Sequence, residues 1–224
     1  MIKFCILIPV YNESKTLGNL IKKLKETDYN YKFINDGSTD DTLDILYNYK
    51  VPYLTYPKNK GKGFAIKHAV YPFISNYAYY LIIDGDNQHS LEDIPNFLKM
   101  AEKYPEIALF IGNRIRNRAN MPLIRYITNV FMSWVIFLMI GQKLDTQCGF
   151  RLIRKDVFDL DLKSNRFEFE TEMLIKASKA GLKIKSLPIH TIYHKDRISK
   201  VNPIKDTIRF LKMLWRINYE KMVS

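Results

Sequence analysis

Residues 79–89 read YYLIIDGDNQH. The first six form a near-continuous apolar run ending in an aspartate, the pattern of a strand covered on both faces. Behind it Asp84 and Asp86 stand two positions apart around Gly85, followed by Asn87, Gln88 and His89. A lone D-x-D is common in proteins, and Asp-Gly is an ordinary turn former. What decides the fold is that the same arrangement recurs upstream. KFCILIPV (3–10) runs into PVYNE (9–13), YKFIN (31–35) into NDGSTD (35–40), and VPYLTY (51–56) is followed by NKGKG (59–63). A fifth run, IALFIG, covers 107–112. Helical patterns fill the gaps at 14–26, 39–49, 62–74 and 90–103. The first puts Leu17, Leu20, Ile21 and Leu24 on one face, and Ser90 with acidic residues behind it starts the last. This alternation predicts an α/β three-layer sandwich around a mostly parallel, Rossmann-like sheet with right-handed crossovers. Ligands of such sheets bind outside the carboxyl ends of the strands, so four polar signals at successive strand ends describe one crevice.

The second half has a different texture. After Gly112-Asn113-Arg114 come a basic loop, the apolar run ITNVFMSWVIFLMIG (127–141) and a short polar segment, DTQCGFRLIR. FEFETEMLIKASKAG (167–181) reads as a helix capped by Gly181, KIKSLPI as a strand, and a last helix starts near Pro203. Repeats, linkers and low-complexity tracts are absent from the sequence. It reads as one domain over 1–224, with a strand–helix half (1–112), a second half (113–202) and an amphipathic basic helix (203–224).

Composition narrows the classes. Cys5 and Cys148 show no pairing pattern, which favours a reducing compartment and gives no support for a zinc site. The amino-terminal apolar stretch is too short for a signal peptide, and the 127–141 run falls short of the roughly 20 residues that span a bilayer. No transmembrane segment is expected. Thirty-five Lys and Arg against 23 Asp and Glu give a net charge of +12, which suits an anionic partner or surface. No zinc finger, RNP-type or basic-heptad motif accompanies that charge, so nucleic acid is not the expected partner.

Two carboxylates at the end of a buried strand suit a hard divalent cation, Mg²⁺ or Mn²⁺, which keeps positions for phosphate and water. Such an ion neutralises a diphosphate leaving group. Lys60 and Lys62, among flexible Gly61 and Gly63, suit phosphate oxygens, although the stretch is neither GxxxxGK[ST] nor GxGxxG. Arg114, Arg116, Arg118 and Arg125 surround Pro122 just ahead of the apolar run. That combination fits a helix lying in the membrane plane against lipid headgroups; an ordinary buried helix or a dimer face fits it equally. In the last helix Ile204, Ile208, Leu211 and Trp215 make an apolar stripe, with Lys205, Arg209, Lys212 and Arg216 one residue on. This favours the membrane reading. Glu168, Glu170 and Glu172 are the candidates for a general base, and none of the four histidines is read as catalytic.

PVYNE, DGSTDDT, NKGKGFA, DGDNQH, GNR, DTQCGFRLIR and FEFETEM, in that order, resemble a family 2 glycosyltransferase of the GT-A fold, and within it the dolichol-phosphate mannosyltransferase-like branch. The resemblance covers most of the chain, from residue 9 to about 200. It implies that Pro9, Tyr11, Glu13 and Asp36 hold the nucleoside, that Asp84 meets ribose and metal, and that Asp86 and Gln88 complete the metal ligands. Arg114 would lie by the sugar or the acceptor phosphate, with Arg125, Asp145 and Arg151 also on the acceptor side. Arg197, Ser199 and Lys200 would close over the donor phosphates and acceptor. Asn35 stands where the family has Asp, which leaves the base open between a UDP- and a GDP-linked donor. Gly85 replaces the usual Ala, a change expected to be harmless. The expected activity is inverting sugar transfer to a polyprenyl phosphate by an enzyme held peripherally on the cytoplasmic face of a membrane, with a homo-oligomer open. A glycan or glycolipid hydroxyl as acceptor, or a non-catalytic nucleotide-sugar-binding protein, are the alternatives.

Overall fold

The computed structural model describes residues 2–114, 123–146, 148–190, 192 and 203–223. Its centre is one seven-stranded sheet in the order β3-β2-β1-β4-β6-β5-β7. The strands are β1 (Phe4–Val10), β2 (Tyr31–Asn35), β3 (Tyr53–Thr55), β4 (Tyr79–Ile82), β5 (Ile107–Arg114), β6 (Arg151–Arg154) and β7 (Lys183–Ile189). Every pairing is parallel except the two made by β6, which runs antiparallel to both β4 and β5. All four residues of β4 and six of seven in β1 are buried, as their apolar runs require of strands covered on both faces.

The helices are α1 (Ser14–Lys25), α2 (Thr42–Asn48), α3 (Lys62–Val70), α4 (Ile94–Lys103), α5 (Leu123–Ile140), α6 (Glu168–Lys179) and α7 (Pro203–Val223). The helix expected over 62–74 stops at Val70 and tightens into a 3₁₀ turn over Tyr71–Asn76, because Pro72 lacks the N–H that the α-ladder needs. The helix expected over 90–103 likewise begins as a 3₁₀ turn, Leu91–Asp93, capped by Ser90 Oγ accepting from the Glu92 amide. Gly181, with φ +75°, ends the α6 region in the left-handed conformation, the expected cap.

One expectation is corrected outright: RLIR of the "polar" segment is β6, and it lies inside the sheet. The halves drawn at residue 112 therefore share one core, since β6 from the second half separates β4 from β5 of the first. A second, small apolar cluster (Met132, Ile136, Ile175, Phe210, Met213 and Ile217) joins α5, α6 and α7. The 127–141 run is therefore a packed helix in part, as one of its two readings expects. One face packs on this cluster, while Trp134, Phe137 and Leu138 stand exposed.

Candidate active site

Six parallel strands end along one edge of the sheet, and β6, running the other way, brings its first residue there. Ile82 of β4 pairs with Arg151, so the turn over 148–150 faces the segment that carries Asp84.

The loops after β1 and β2 lock each other. Asn12, held at φ 52°, donates its amide N–H to Ser38 Oγ at 3.0 Å and accepts from the Thr39 amide at 2.8 Å. The Glu13 amide donates to Thr42 Oγ1 and the Ser14 amide to Asp40 Oδ2. Side chains of DGSTDDT thus satisfy the orphan N–H groups at the start of α1, which explains why the two motifs come as a pair. Asp36 was expected at the nucleoside. Its carboxylate instead accepts from Tyr56 Oη (2.8 Å), Asn59 Nδ2 (3.0 Å) and the amides of Lys60 (2.7 Å) and Gly61 (2.8 Å). Four donors fill a carboxylate's acceptor sites, so in this structure Asp36 organises the 59–61 loop. Pro9 sits in β1, and Tyr11 and Glu13 follow it, half-buried at the rim of the crevice.

The NKGKG glycines are corrected too. Gly61, at φ +102°, and Gly63 are there for close packing, not flexibility. A Cβ on Gly61 would meet Asn165 and lie 2.6 Å from Arg166 Cγ, and one on Gly63 would lie 2.5 Å from Phe169 Cβ. This contact lets α3 and α6 start side by side. Lys60 lies over the Phe64 ring at 4.4 Å. Lys62, only 11% exposed in its side chain, bridges Asp84 Oδ1 at 2.5 Å and Glu170 Oε1 at 2.6 Å. Burial works against its charge, but those two carboxylates outweigh burial and hold its pKa above the ordinary range. Here it neutralises carboxylates, so the expected contact with donor phosphate is not what this geometry displays.

Asp84 is about one-third exposed (32%) at the mouth of the crevice, whereas Asp86 is buried and accepts from the Gln88 amide at 2.9 Å. The tight turn places Asn87 at φ 59°, a conformation Asn tolerates. His89 closes it from below, its Nδ1 accepting the Asp84 amide N–H at 3.2 Å. Burial lowers the His89 pKa despite the nearby aspartates, so the ring is a neutral prop. Gly149, which sequence reasoning did not single out, is the partner of Asp84. A Cβ there would lie 2.6 Å from Asp84 Cγ and Oδ1 and closer still to Oδ2. Gly85 corrects another expectation. Its Cβ would sit 2.5 Å from Val10 Cγ1, so alanine is not harmless in a chain that carries a stiff β-branched Val10.

Does this site fit a divalent cation? Among the described residues no group of three or more His, Cys, Asp and Glu assembles, which is unlike a structural zinc site. Two carboxylates beside a solvent-facing crevice do fit Mg²⁺ or Mn²⁺, which take one or two protein carboxylates together with substrate phosphates. The ammonium of Lys62 on Asp84 shows that positive charge is welcome there.

Across the β6 turn lies the basic side. Arg114, at the end of β5, donates Nε to Asp145 Oδ2 at 2.9 Å and Nη2 to Oδ1 at 3.0 Å. Burial opposes its charge, yet the bidentate carboxylate holds it above its ordinary value. Asp145 is therefore the clamp that aims Arg114. Arg151 is corrected most sharply. It is fully buried (0% exposed) and donates to the carbonyls of Cys148 (2.9 Å), Glu170 (2.7 Å) and Thr146 (2.9 Å). It ties Thr146 and Cys148 to α6. Glu170 is itself buried against Lys62, with Arg151 Nη2 at 3.9 Å from Oε2. Glu172 is also buried and accepts from the Ser164 amide and from Arg216 Nη2. On α5, Arg125 belongs to the described backbone but its side chain does not, and Arg197, Ser199 and Lys200 lie outside the described residues.

A mixed sheet whose crevice sets an acidic pair on one side and a clamped arginine on the other defines the class: a GT-A glycosyltransferase. Residues 5–160 match the model of Glycosyl transferase family 2, and the chain belongs to that family. It is 31% identical over 221 residues to a UDP-N-acetylglucosamine–dolichyl-phosphate N-acetylglucosaminyltransferase of Methanococcus voltae, covering 84% of this chain and 85% of that one. It is 30% identical to the glycosyltransferase AglJ of Haloferax volcanii, covering 95% of this chain and 71% of that one. Among solved structures, glucosyl-3-phosphoglycerate synthase from Mycobacterium tuberculosis, in complex with Mn²⁺, UDP-glucose and phosphoglyceric acid, superposes with a TM-score of 0.70 at 16% identity. That match covers 88% of this chain and 73% of that one, a likeness of fold.

Proposed function

We propose that the protein transfers a sugar, with inversion, from a UDP- or GDP-linked donor to a polyprenyl phosphate at the cytoplasmic surface of a membrane, using Mg²⁺ or Mn²⁺. One observation carries the choice of acceptor. Two of the three candidate bases are engaged elsewhere, Glu170 by Lys62 and Glu172 by Ser164 and Arg216. That leaves only Glu168, whose Oε2 is buried without a hydrogen-bond partner among the described residues, whereas the clamped group at the end of β5 is a cation, Arg114. A hydroxyl acceptor requires a base. A phosphate monoester, with a second pKa near 6, is already an anion and needs positive charge around it instead.

In this reading Asp84, Asp86 and Gln88 would hold the metal, which would supply positive charge to offset that of a diphosphate leaving group. Pro9, Tyr11 and Glu13 line the nucleoside end, and Arg197 and Lys200 close on the donor phosphates. Arg114, fixed by Asp145, orients the acceptor phosphate with Arg125 and Ser199, so that an acceptor oxygen attacks the anomeric carbon opposite the leaving group. The dolichyl-phosphate relative supports a lipid acceptor. So does the outer surface: α5 exposes Trp134, Phe137 and Leu138, and α7 exposes Ile208, Leu211, Trp215 and Tyr219. Among the described residues no helix is long and apolar enough to cross a membrane, so a lipid substrate would be met at the interface. The basic row of α7 is thinner than the sequence implied, since Arg209 pairs with Asp206 and Arg216 with Glu172, while Lys205 and Lys212 stand exposed.

The test is incubation with Mn²⁺ and radiolabelled UDP- and GDP-sugars, with and without polyprenyl phosphate, followed by extraction. Metal- and lipid-dependent label in the organic phase is expected. Label only on a soluble glycan, or full transfer in EDTA, overturns the acceptor or the metal assignment respectively.

A further inference from the structure

Beside Arg114 the surface opens into a cleft of about 360 Å³, lined by Arg114, Trp134, Phe137, Lys143, Leu144 and Asp145 among others. None of the sequence motifs includes Trp134, Phe137 or Lys143. The lining divides by chemistry. Arg114 and Lys143 bring two positive charges against the single carboxylate of Asp145, which is already spent on the Arg114 clamp. Trp134, Phe137 and Leu144 bring apolar surface. Trp134 is 57% exposed, with Phe137 and Leu138 following at helical spacing on the same exposed side of α5. A largely exposed indole beside two cations is poorly explained by packing, because the buried face of this helix lies elsewhere, at Met132 and Ile136.

The location matters as much as the lining. Arg114 ends β5, the Asp145 carbonyl accepts the Cys148 amide at 3.1 Å, and Gly149 backs onto the Asp84 carboxylate. One short turn therefore separates the cleft from the acidic crevice, and the charge of Asp84 acts on Arg114. A purely ionic ligand would leave the indole and phenyl groups unused. A purely apolar one would bury against two cations at a desolvation cost. An amphiphile with an anionic head satisfies both.

We propose that this cleft binds the phosphate-proximal end of an isoprenoid phosphate. The phosphate lies between Arg114 and Lys143, and the first isoprene units lie against Trp134, Phe137 and Leu144, with Leu138 carrying the apolar path outward. Lys143 is a second phosphate-binding cation, and Trp134 and Phe137 select for a chain. The inference rests on the proposed lipid-phosphate acceptor and adds where, and by which residues, it is held.

The chain has only two tryptophans, Trp134 and Trp215, so Trp215→Phe leaves Trp134 as the sole indole reporter. Titrating that protein with geranylgeranyl phosphate below its micelle concentration should give a saturable change in emission. Geranylgeraniol and inorganic phosphate should each need at least tenfold more, and Lys143→Gln should weaken geranylgeranyl phosphate about tenfold. Phe137→Ala, a truncation at a half-exposed position, should raise KM for the lipid phosphate about tenfold and leave KM for the donor unchanged. Silent Trp134 emission in a protein that still transfers sugar to polyprenyl phosphate overturns the cleft and leaves the function standing. An equal response to inorganic phosphate overturns chain selection, and a response to soluble oligosaccharide alone makes the indole a sugar platform, overturning the proposal. An emission change without any transfer keeps the cleft and removes the function; neither signal removes both.

Discussion

Replacing Gly149 with alanine isolates the placement of Asp84 from everything else in the site. The added Cβ would stand 2.6 Å from Asp84 Cγ and Oδ1, against 3.4 Å for an ordinary contact. The carboxylate must therefore retreat by at least 3.4 − 2.6, about 0.8 Å. Gly149 does not occupy a left-handed conformation, so its backbone accepts alanine, and Asp84 at the crevice mouth has room to swing outward. The fold should survive with a Tm within a few degrees of wild type, helped slightly by the lost freedom of the unfolded chain. Catalysis should not survive intact, because a misplacement of about 1 Å costs on the order of 10²-fold in rate, or roughly 2.7 kcal/mol. The assay is sugar transfer at saturating donor across a Mn²⁺ series, beside a thermal melt of the same preparation. A wild-type rate at an unchanged Tm refutes the reasoning. So does a collapse of Tm, which would mean that the carboxylate cannot yield and the strain passes into the sheet.

The packing of Gly85 on Val10 predicts a rescue: Gly85→Ala should lose about 1–3 kcal/mol to overpacking, and Val10→Ala should cost less in that background than alone, as a double-mutant cycle in denaturant will show. Arg151→Gln should lose on the order of 3–5 kcal/mol, because buried carbonyls are left without donors. The Michaelis constant for acceptor in the protein that remains folded should not move, and a selective rise would return Arg151 to the acceptor site. Glu172 predicts the acid limb of stability. Burial alone would raise its pKa, but the Ser164 hydrogen bonds and Arg216 lower it below the ordinary 4.5. A carboxyl depressed in the folded state contributes its full stabilisation above its unfolded value and loses it as pH falls through the folded one. Melting curves from pH 7 downward should therefore fall most steeply below about pH 4.5, and Glu172→Gln, less stable at pH 7, should flatten that fall. An unchanged slope refutes the assignment.

Much of this architecture could be read directly from the chain, for identifiable reasons. Buried parallel strands advertise themselves as unbroken apolar runs, so β1, β2, β4 and β5 and the polar turns at their ends were legible, as was the acidic pair. The rest failed where a residue's chemistry and its surroundings part company. β6 is four residues with an arginine at each end, which looks like surface, yet Arg151 is enclosed by backbone carbonyls that no periodicity reveals. Gly61 and Gly63 looked like phosphate-loop glycines, and their neighbours, Asn165, Arg166 and Phe169 at and just before the start of α6, are about a hundred residues away. Asp145 was expected on the acceptor side, but only the fold shows that it clamps Arg114. The row Lys205, Arg209, Lys212, Arg216 looked uniformly wet because helical spacing cannot tell which arginine will find a buried glutamate.

The reversed strand also dictates the order in which this protein can come into being. β4 and β5 are not paired with each other; β4, already beside β1, gains its second partner and β5 its first only when β6 arrives, forty residues beyond the end of β5 and about seventy beyond β4. A growing chain that has emerged through Arg114 carries every strand of the acidic crevice and still has two open apolar edges, YYLI and IALFIG. Closing such separations is slow relative to local pairing, and unpaired edges recruit other chains. The interval between the emergence of residue 114 and residue 154 is thus the most aggregation-prone stretch of its synthesis. A ribosomal pause or a rare-codon cluster placed inside it should lower soluble yield more than the same pause placed after β6.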